Sequence, residues 1–104
     1  MDNDWQVEGN LPLALTFEWD ENKAEENAEK HGVGFEEAKT VFNDPSSSTI
    51  YDPDHSENED RYIDVGLSSK GRTLVVFYTE RGENIRLISS RKATEREQRD
   101  YETK

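Results

Sequence analysis

Strand-like runs and helix-like runs divide this chain cleanly. In "LALTFEW", Leu13, Leu15, Phe17 and Trp19 fall on one side and Ala14, Thr16 and Glu18 on the other, the period-two pattern of a half-buried strand. "RYIDVGLSS", "TLVVFYTE" and "IRLISSRK" follow later, separated by the short glycine-bearing connections "KGR" and "RGEN", so consecutive antiparallel hairpins are the simplest topology. The middle run is apolar on both faces and belongs at the centre of a sheet. "SSSTIYD" ahead of them predicts an edge strand. Within "IRLISSR", unbroken alternation puts Ile85, Leu87, Ser89 and Arg91 on one face and Arg86, Ile88 and Ser90 on the other.

The helical runs carry their own start and stop signals. Asp20 is a good N-cap, and "ENKAEENAEKHG" continues without a breaker to Gly32, which predicts a helix from about Glu21 to His31. Its apolar face is only Ala24 and Ala28, so shallow packing is expected. In "FEEAKTVF", Phe35, Ala38, Val41 and Phe42 share a helical face that "NDP" brings to an end. Thr94 and Glu97 form a capping box for a last helix reaching about Tyr101. The order is β-α-α-β-β-β-β-α, an α+β fold with two N-terminal helices and a C-terminal helix packed on an antiparallel sheet. Residues 1–12, "MDNDWQVEGNLP", read as a flexible N-terminal tail, and 13–104 as a single domain, since 104 residues suit one core.

Composition narrows the functional classes. With 31% hydrophobic and 36% charged residues the chain borders on disordered composition, and the apolar runs between Ile63 and Ile88 argue for a folded body. The absence of cysteine excludes a disulfide frame, a thiolate zinc site and a cysteine nucleophile, and fits a reducing cytoplasm. No run approaches the roughly 18 apolar residues of a membrane helix, and the first residues lack a signal-peptide pattern, so a cytoplasmic protein without membrane contact is expected. A net charge of -11 speaks against nucleic-acid binding. The distribution changes that: residues 1–60 hold 17 acids against 3 lysines, and residues 61–104 hold 7 acids against 10 lysines and arginines. The C-terminal part is a modestly basic island.

Two histidines can move protons near neutral pH. His31 closes the first helix, where an imidazolium is favoured by the helix dipole, and a bland carbonyl-capping role is as natural as a functional one. His55 lies in "DPDHSENED" beside Asp52, Asp54 and Glu57, without the spacing of a calcium loop; a solvated acidic loop is the simpler reading, and no metal or cofactor is assigned. Neither a glycosidase-type carboxylate pair, a glycine-rich phosphate loop nor a nucleophile elbow stands out. The arginines remain. Arg61, Arg81, Arg86 and Arg91 occur on or beside predicted strands, with Tyr78 near Arg81, and guanidinium forks suit phosphate as aromatic rings suit bases. Their plain alternative is a solvated sheet rim pairing with surplus acids.

"FEWDENKAEENAEKHGVGFEEAKTVF" and "DRYIDVGLSSKGRTLVVFYTERGENIRLISSRKATEREQRDYE" together resemble the BrnT family of ribonuclease toxins from type II toxin-antitoxin systems, over about Phe17 to Glu102. The resemblance implies a RelE-like fold and metal-independent cleavage of RNA that inhibits translation, held in check by a cognate antitoxin. It also implies an antitoxin of ribbon-helix-helix type, hetero-oligomeric association with it, and contact with operator DNA only through it. RNA brings its own 2′-OH nucleophile, so a protein need only orient it, move protons and stabilise the phosphorane. On that basis His31, Lys30, Arg61, Arg81 and Arg91 are the candidate catalytic residues, with Tyr78, Arg86 and Lys92 as RNA-binding candidates. The acidic balance, unexpected in a nuclease, leaves a second possibility: a catalytically inactive binding module of the same fold that engages an antitoxin or another basic partner.

Overall fold

A computed structural model describes residues 15–55 and 59–103. Its strands are β1 Thr16–Glu18, β2 Ser48–Tyr51, β3 Arg61–Leu67, β4 Thr73–Arg81 and β5 Asn84–Lys92; its helices are α1 Glu21–His31, α2 Phe35–Ala38 and α3 Glu95–Glu102. The strands make one sheet in the order β1-β5-β4-β3-β2, with the apolar β4 central and β2 at an edge. The expected tail and the start of the first strand lie outside the described residues, as do Ser56 to Asn58 and the side chain of His55.

β2 to β5 pair as antiparallel neighbours, as the short connections predict. Gly82, at φ 61°, supplies the left-handed residue that the tight β4–β5 turn needs. β1 differs from the all-antiparallel expectation: it runs parallel to β5 through Thr16↔Asn84, Phe17↔Ile85 and Glu18↔Arg86. The sheet is therefore mixed. Connectivity explains this, because β1 leads into a helical crossover rather than a hairpin, which frees it to pair in the parallel sense.

α1 keeps the limits its caps set. Asp20 accepts from the backbone of Asn22 at 2.8 Å and of Lys23 at 3.4 Å, and Gly32, at φ 70°, closes the helix by donating to the Ala28 carbonyl at 2.9 Å. α2 lasts one turn and tightens into a 3-10 turn over Lys39–Asn43. Val33, Phe35, Ala38 and Val41 meet Leu74, Val76, Tyr78, Ile85 and Leu87 in the core, with Phe17, Trp19, Phe42 and Tyr62 packed around them. Burying each large aliphatic or aromatic side chain contributes roughly 1.5–3 kcal/mol.

Ala24 packs against the core as expected, but the buried residue of α1 is polar and Ala28 does not share that face. Ala28 is exposed, whereas Asn27 keeps only 7% of its surface. Its amide donates to the carbonyls of Ser90 at 2.8 Å and Val33 at 3.0 Å, and its oxygen accepts from the Ser90 N–H at 3.1 Å and the Ser89 hydroxyl at 3.0 Å. β1 pairs with β5 only over 84–86, so the outer edge of β5 beyond it has backbone groups to satisfy. The Asn27 amide serves both such groups of Ser90, as a neighbouring strand's peptide would.

That contact sits at a β-bulge. Tyr78 pairs with Leu87 but Phe77 pairs with Ser89, which leaves Ile88 out of register. Alternation therefore slips by one: Ser90 faces the helices opposite Val76, and Arg91 emerges on the far face opposite Val75. Unbroken alternation had placed Arg91 with Leu87 and away from Arg86; the bulge corrects this and puts both arginines on one face.

A second buried polar contact fixes α2. The Glu37 carboxylate accepts from Arg72 Nε at 3.0 Å and Nη2 at 2.5 Å and from the Ser68 hydroxyl at 2.7 Å, tying α2 to the β3–β4 turn. Gly66 is needed for space, since a Cβ there would lie 2.8 Å from Ser47 Cβ and 2.9 Å from Val41 Cγ1. Asn27→Ala leaves the Ser90 N–H and two carbonyls without that partner and is expected to cost about 3 kcal/mol, read as a lower urea midpoint with the slope unchanged. Gly66→Ala is expected to cost about 1–3 kcal/mol by overpacking in the same measurement.

Candidate nucleic-acid interface

α1 and α2 cover one face of the sheet; on the other, α3 lies against one end beside the buried Val75, Thr79 is buried with its hydroxyl on the Asp60 carbonyl, and the face is open chiefly along Ile50, Ile63 and Phe77. Because paired residues in adjacent strands share a face, register lays out the open face in rows. Thr16, Asn84 and Arg81 make the first, and Glu18, Arg86, Thr79 and Arg61 the second. Ile50, Ile63 and Phe77 form the third, and Ser48, Val65, Val75 and Arg91 the fourth. Four arginines that are scattered in sequence thus stand on one surface, around an aliphatic and aromatic strip. Between that strip and α3 lies a groove of about 420 Å³, lined by Ile50, Ile63, Val65, Val75, Phe77 and Arg91 among others.

Local geometry gives each cation its surroundings. The guanidinium carbon of Arg91 stands 5.8 Å from the centroid of the Phe77 ring. Its Nη1 and Nη2 donate to the two oxygens of Glu97 at 2.8 and 2.9 Å, and Nη1 also reaches the Lys92 carbonyl at 3.2 Å. Hydrogen bonds from Arg91 hold the Glu97 carboxyl down at about 2, well below the usual carboxylate range. Arg86 Nη1 donates to Glu18 at 2.9 Å, and Asn84 donates to the other Glu18 oxygen at 3.0 Å. Those two bonds, that of Asn84 foremost, lower the Glu18 carboxyl. Arg81 approaches Glu59 at 3.4 Å, and Arg61 is half-buried beside the fully buried Thr79.

α3 rests on this face by polar contacts. Thr94 and Glu97 form the expected capping box, with Glu97 N donating to Thr94 Oγ1 at 3.1 Å and Thr94 N to Glu97 Oε1 at 2.8 Å. One Glu97 oxygen therefore serves both the cap and Arg91. At the other end the Tyr101 hydroxyl donates to Asp44, and no α3 residue is buried.

The remaining sequence candidates lie elsewhere. Tyr78 is 5% exposed, its ring set between Phe42 at 4.9 Å and Tyr62 at 5.6 Å, and burial pushes its hydroxyl up to about 12. It belongs to the core and has no free face on which a base could stack; β4 alternation assigns it to the helix side. Lys30 and His31 border a shallow depression with Lys23, Asn27, Ile88 and Ser89, at the β5 edge that β1 leaves uncovered. They stand on the helix-bearing side, apart from the four arginines. Lys92 is exposed and paired with Leu74, also on the helix side. Phe77 was missed as a site residue, although its position four residues before Arg81 on one strand, and so on the same face, was a usable signal. The partners of the arginines had no comparable signal, since Glu18 and Glu59 are remote in sequence.

A family model described as "Ribonuclease toxin, BrnT, of type II toxin-antitoxin system" matches residues 19–97. The chain belongs to the BrnT family. The crystal structure of the Brucella abortus ribonuclease toxin, BrnT, superposes with a TM-score of 0.58 at 22% identity, covering 79% of this chain and 100% of that one. At that identity the likeness concerns the fold alone, and it places the three helices and mixed sheet with the BrnT fold. No curated protein sequence matches the chain. Family membership implies an antitoxin partner, and among the described residues no helix is long and apolar enough to cross a membrane.

The Arg91–Glu97 pair makes a prediction about acid. A carboxyl lowered on folding contributes stability that is complete above its unfolded value, here 4.5, and is lost as pH falls from there towards about 2. Thermal melts of the chain and of Glu97→Gln should therefore differ above pH 4.5 and converge below it. A gap that stays constant across that window would contradict the assignment.

Proposed function

We propose that this BrnT-family chain is an active endoribonuclease that works without a metal ion, and that RNA lies along the open face of the sheet. The observation that carries the proposal is the convergence of Arg61, Arg81, Arg86 and Arg91 around the Phe77 strip, brought about by strand register and one bulge. Guanidinium groups there would neutralise and orient the scissile phosphate and its neighbours, and Phe77 would offer a surface for a base. The 2′-OH then gives up its proton and attacks phosphorus in line, the P–O5′ bond breaks, and the 5′-oxygen leaves as a hydroxyl, giving a 2′,3′-cyclic phosphate, while charge on the phosphorane is met by donors already in place. Lys30 and His31 lie over the β5 edge beside Ser89, the register partner of Phe77, and His31 is the candidate for moving a proton where the RNA strand turns over that edge. Cleavage of cellular RNA would inhibit translation, and a cognate antitoxin, of ribbon-helix-helix type, would neutralise the activity and carry the pair to operator DNA.

A second reading, a non-catalytic module of the same fold, is favoured by one observation: Arg81, Arg86 and Arg91 each face a carboxylate. Incubating antitoxin-free protein with total RNA in EDTA separates the two. Degradation that persists in EDTA is expected, falling by about two orders of magnitude in Arg91→Ala or Arg61→Ala, the usual cost of losing one preorganised donor. His31→Ala tests the proton-transfer role by whether the pH dependence of cleavage changes. Intact RNA from folded protein, with and without ribosomes, would establish the non-catalytic reading.

A further inference from the structure

The carboxylates on the open face do more than balance charge. Three arginines of this surface are each met by an acid from a different element: Arg86 by Glu18 of β1 at 2.9 Å, Arg81 by Glu59 of the segment before β3 at 3.4 Å, and Arg91 by Glu97 of α3 at 2.8 Å. The last is a two-pronged contact that uses both terminal nitrogens of the guanidinium. A phosphate would approach that same fork with the same geometry. The pairs are partly exposed, with 29–52% of each arginine and 32–34% of each acid accessible, so they are weak enough to be exchanged for a stronger anion.

We infer that Glu97 and Glu18 occupy phosphate positions on Arg91 and Arg86 and act as built-in competitors that lower the affinity of the open face for RNA. Glu97 is held by its helix: the capping box fixes it relative to Thr94, so it returns to Arg91 whenever an RNA phosphate leaves. The chain thereby keeps an arginine-bearing surface while limiting indiscriminate attraction to polyanions. Only an RNA whose several phosphates engage together offsets the loss of these contacts. The inference rests on the proposed RNA site and gives it a specificity device. An opposite role, in which Glu97 merely steadies Arg91 for RNA, predicts the opposite sign.

Glutamine keeps the shape of both acids and the capping ability of residue 97 while removing the charge. The test measures binding of a fluorescein-labelled, 2′-fluoro single-stranded RNA, which cannot be cleaved, to the full chain and to Glu97→Gln, Glu18→Gln, Arg91→Ala/Glu97→Gln and Glu36→Gln. Glu36 pairs with Lys39 at 3.0 Å on α2 and controls for the mere loss of one negative charge. Glu97→Gln and Glu18→Gln are expected to bind about fivefold more tightly, the scale of a partly exposed ion pair that no longer has to be broken. The slope of log affinity against log salt should steepen by about 0.7 for each arginine released to a phosphate. Glu36→Gln should do neither, and the double variant should lose the gain of Glu97→Gln. Unchanged or weaker binding by Glu97→Gln, or an equal gain from Glu36→Gln, overturns the inference and leaves the nuclease reading standing if the unaltered chain still binds RNA. Binding by none of the proteins overturns both.

Discussion

The side-chain amide of Asn27 standing in for a strand is the contact on which the geometry of this molecule turns. It bonds both main-chain groups of Ser90 at the uncovered edge of β5, and with the same two atoms it reaches the Ser89 hydroxyl and the Val33 carbonyl. α1, the turn after it and the bulged part of β5 are thereby held as one piece. A buried amide with every polar atom satisfied is cheap to keep and costly to disturb, and this one grips β5 just beyond the bulge. The bulge beside it has its consequence on the other side of the sheet, where Arg91 and Arg86 face the same way.

That consequence organises the two faces. On the helix side the sheet meets Val33, Phe35, Ala38 and Val41; most side chains there are apolar, Tyr78 is buried against the stacked ring of Tyr62, and the polar Asp64 and Ser90 are buried among them. On the open side the same strands present arginines and an aliphatic strip, with α3 attached chiefly by the Arg91–Glu97 and Tyr101–Asp44 contacts. A helix held by polar contacts at two points, with no residue buried, is the least firmly attached element of the body. The part of the surface proposed to meet RNA is thus bordered by the part that costs least to move.

Much of the fold was legible because its signals are local. Asp20 and Gly32 bound α1, Thr94 and Glu97 begin α3, and glycine-bearing turns separate the hairpin strands. The arginines were legible as a set too, though not as a surface. Arg91 was assigned to the wrong face because β5 is bulged beside its contact with Asn27, 63 residues before Ser90, and nothing in "IRLISSR" announces it. The parallel pairing of β1 escaped for a related reason, since its partner β5 lies at the other end of the chain. Tyr78 shows the converse failure: it sits three residues before Arg81, an odd separation that period-two alternation sends to opposite faces, and the helix face is the core.

The overall acidity of the chain is reconciled with a nucleic-acid role by where the acids stand rather than by how many there are. At a net charge of -11 the far field repels RNA, so association cannot depend on long-range attraction at low salt. Screening over roughly 10 Å at ordinary ionic strength weakens that repulsion, while contacts made within the open face are screened far less. On the proposed reading, binding is decided at close range, by whether phosphates can take the places of Glu97 and Glu18. A surface that works as proposed would trade speed of encounter for selectivity among polyanions, because a single phosphate gains little over the carboxylate it displaces, whereas a strand spanning Arg61, Arg86 and Arg91 would gain at several points together.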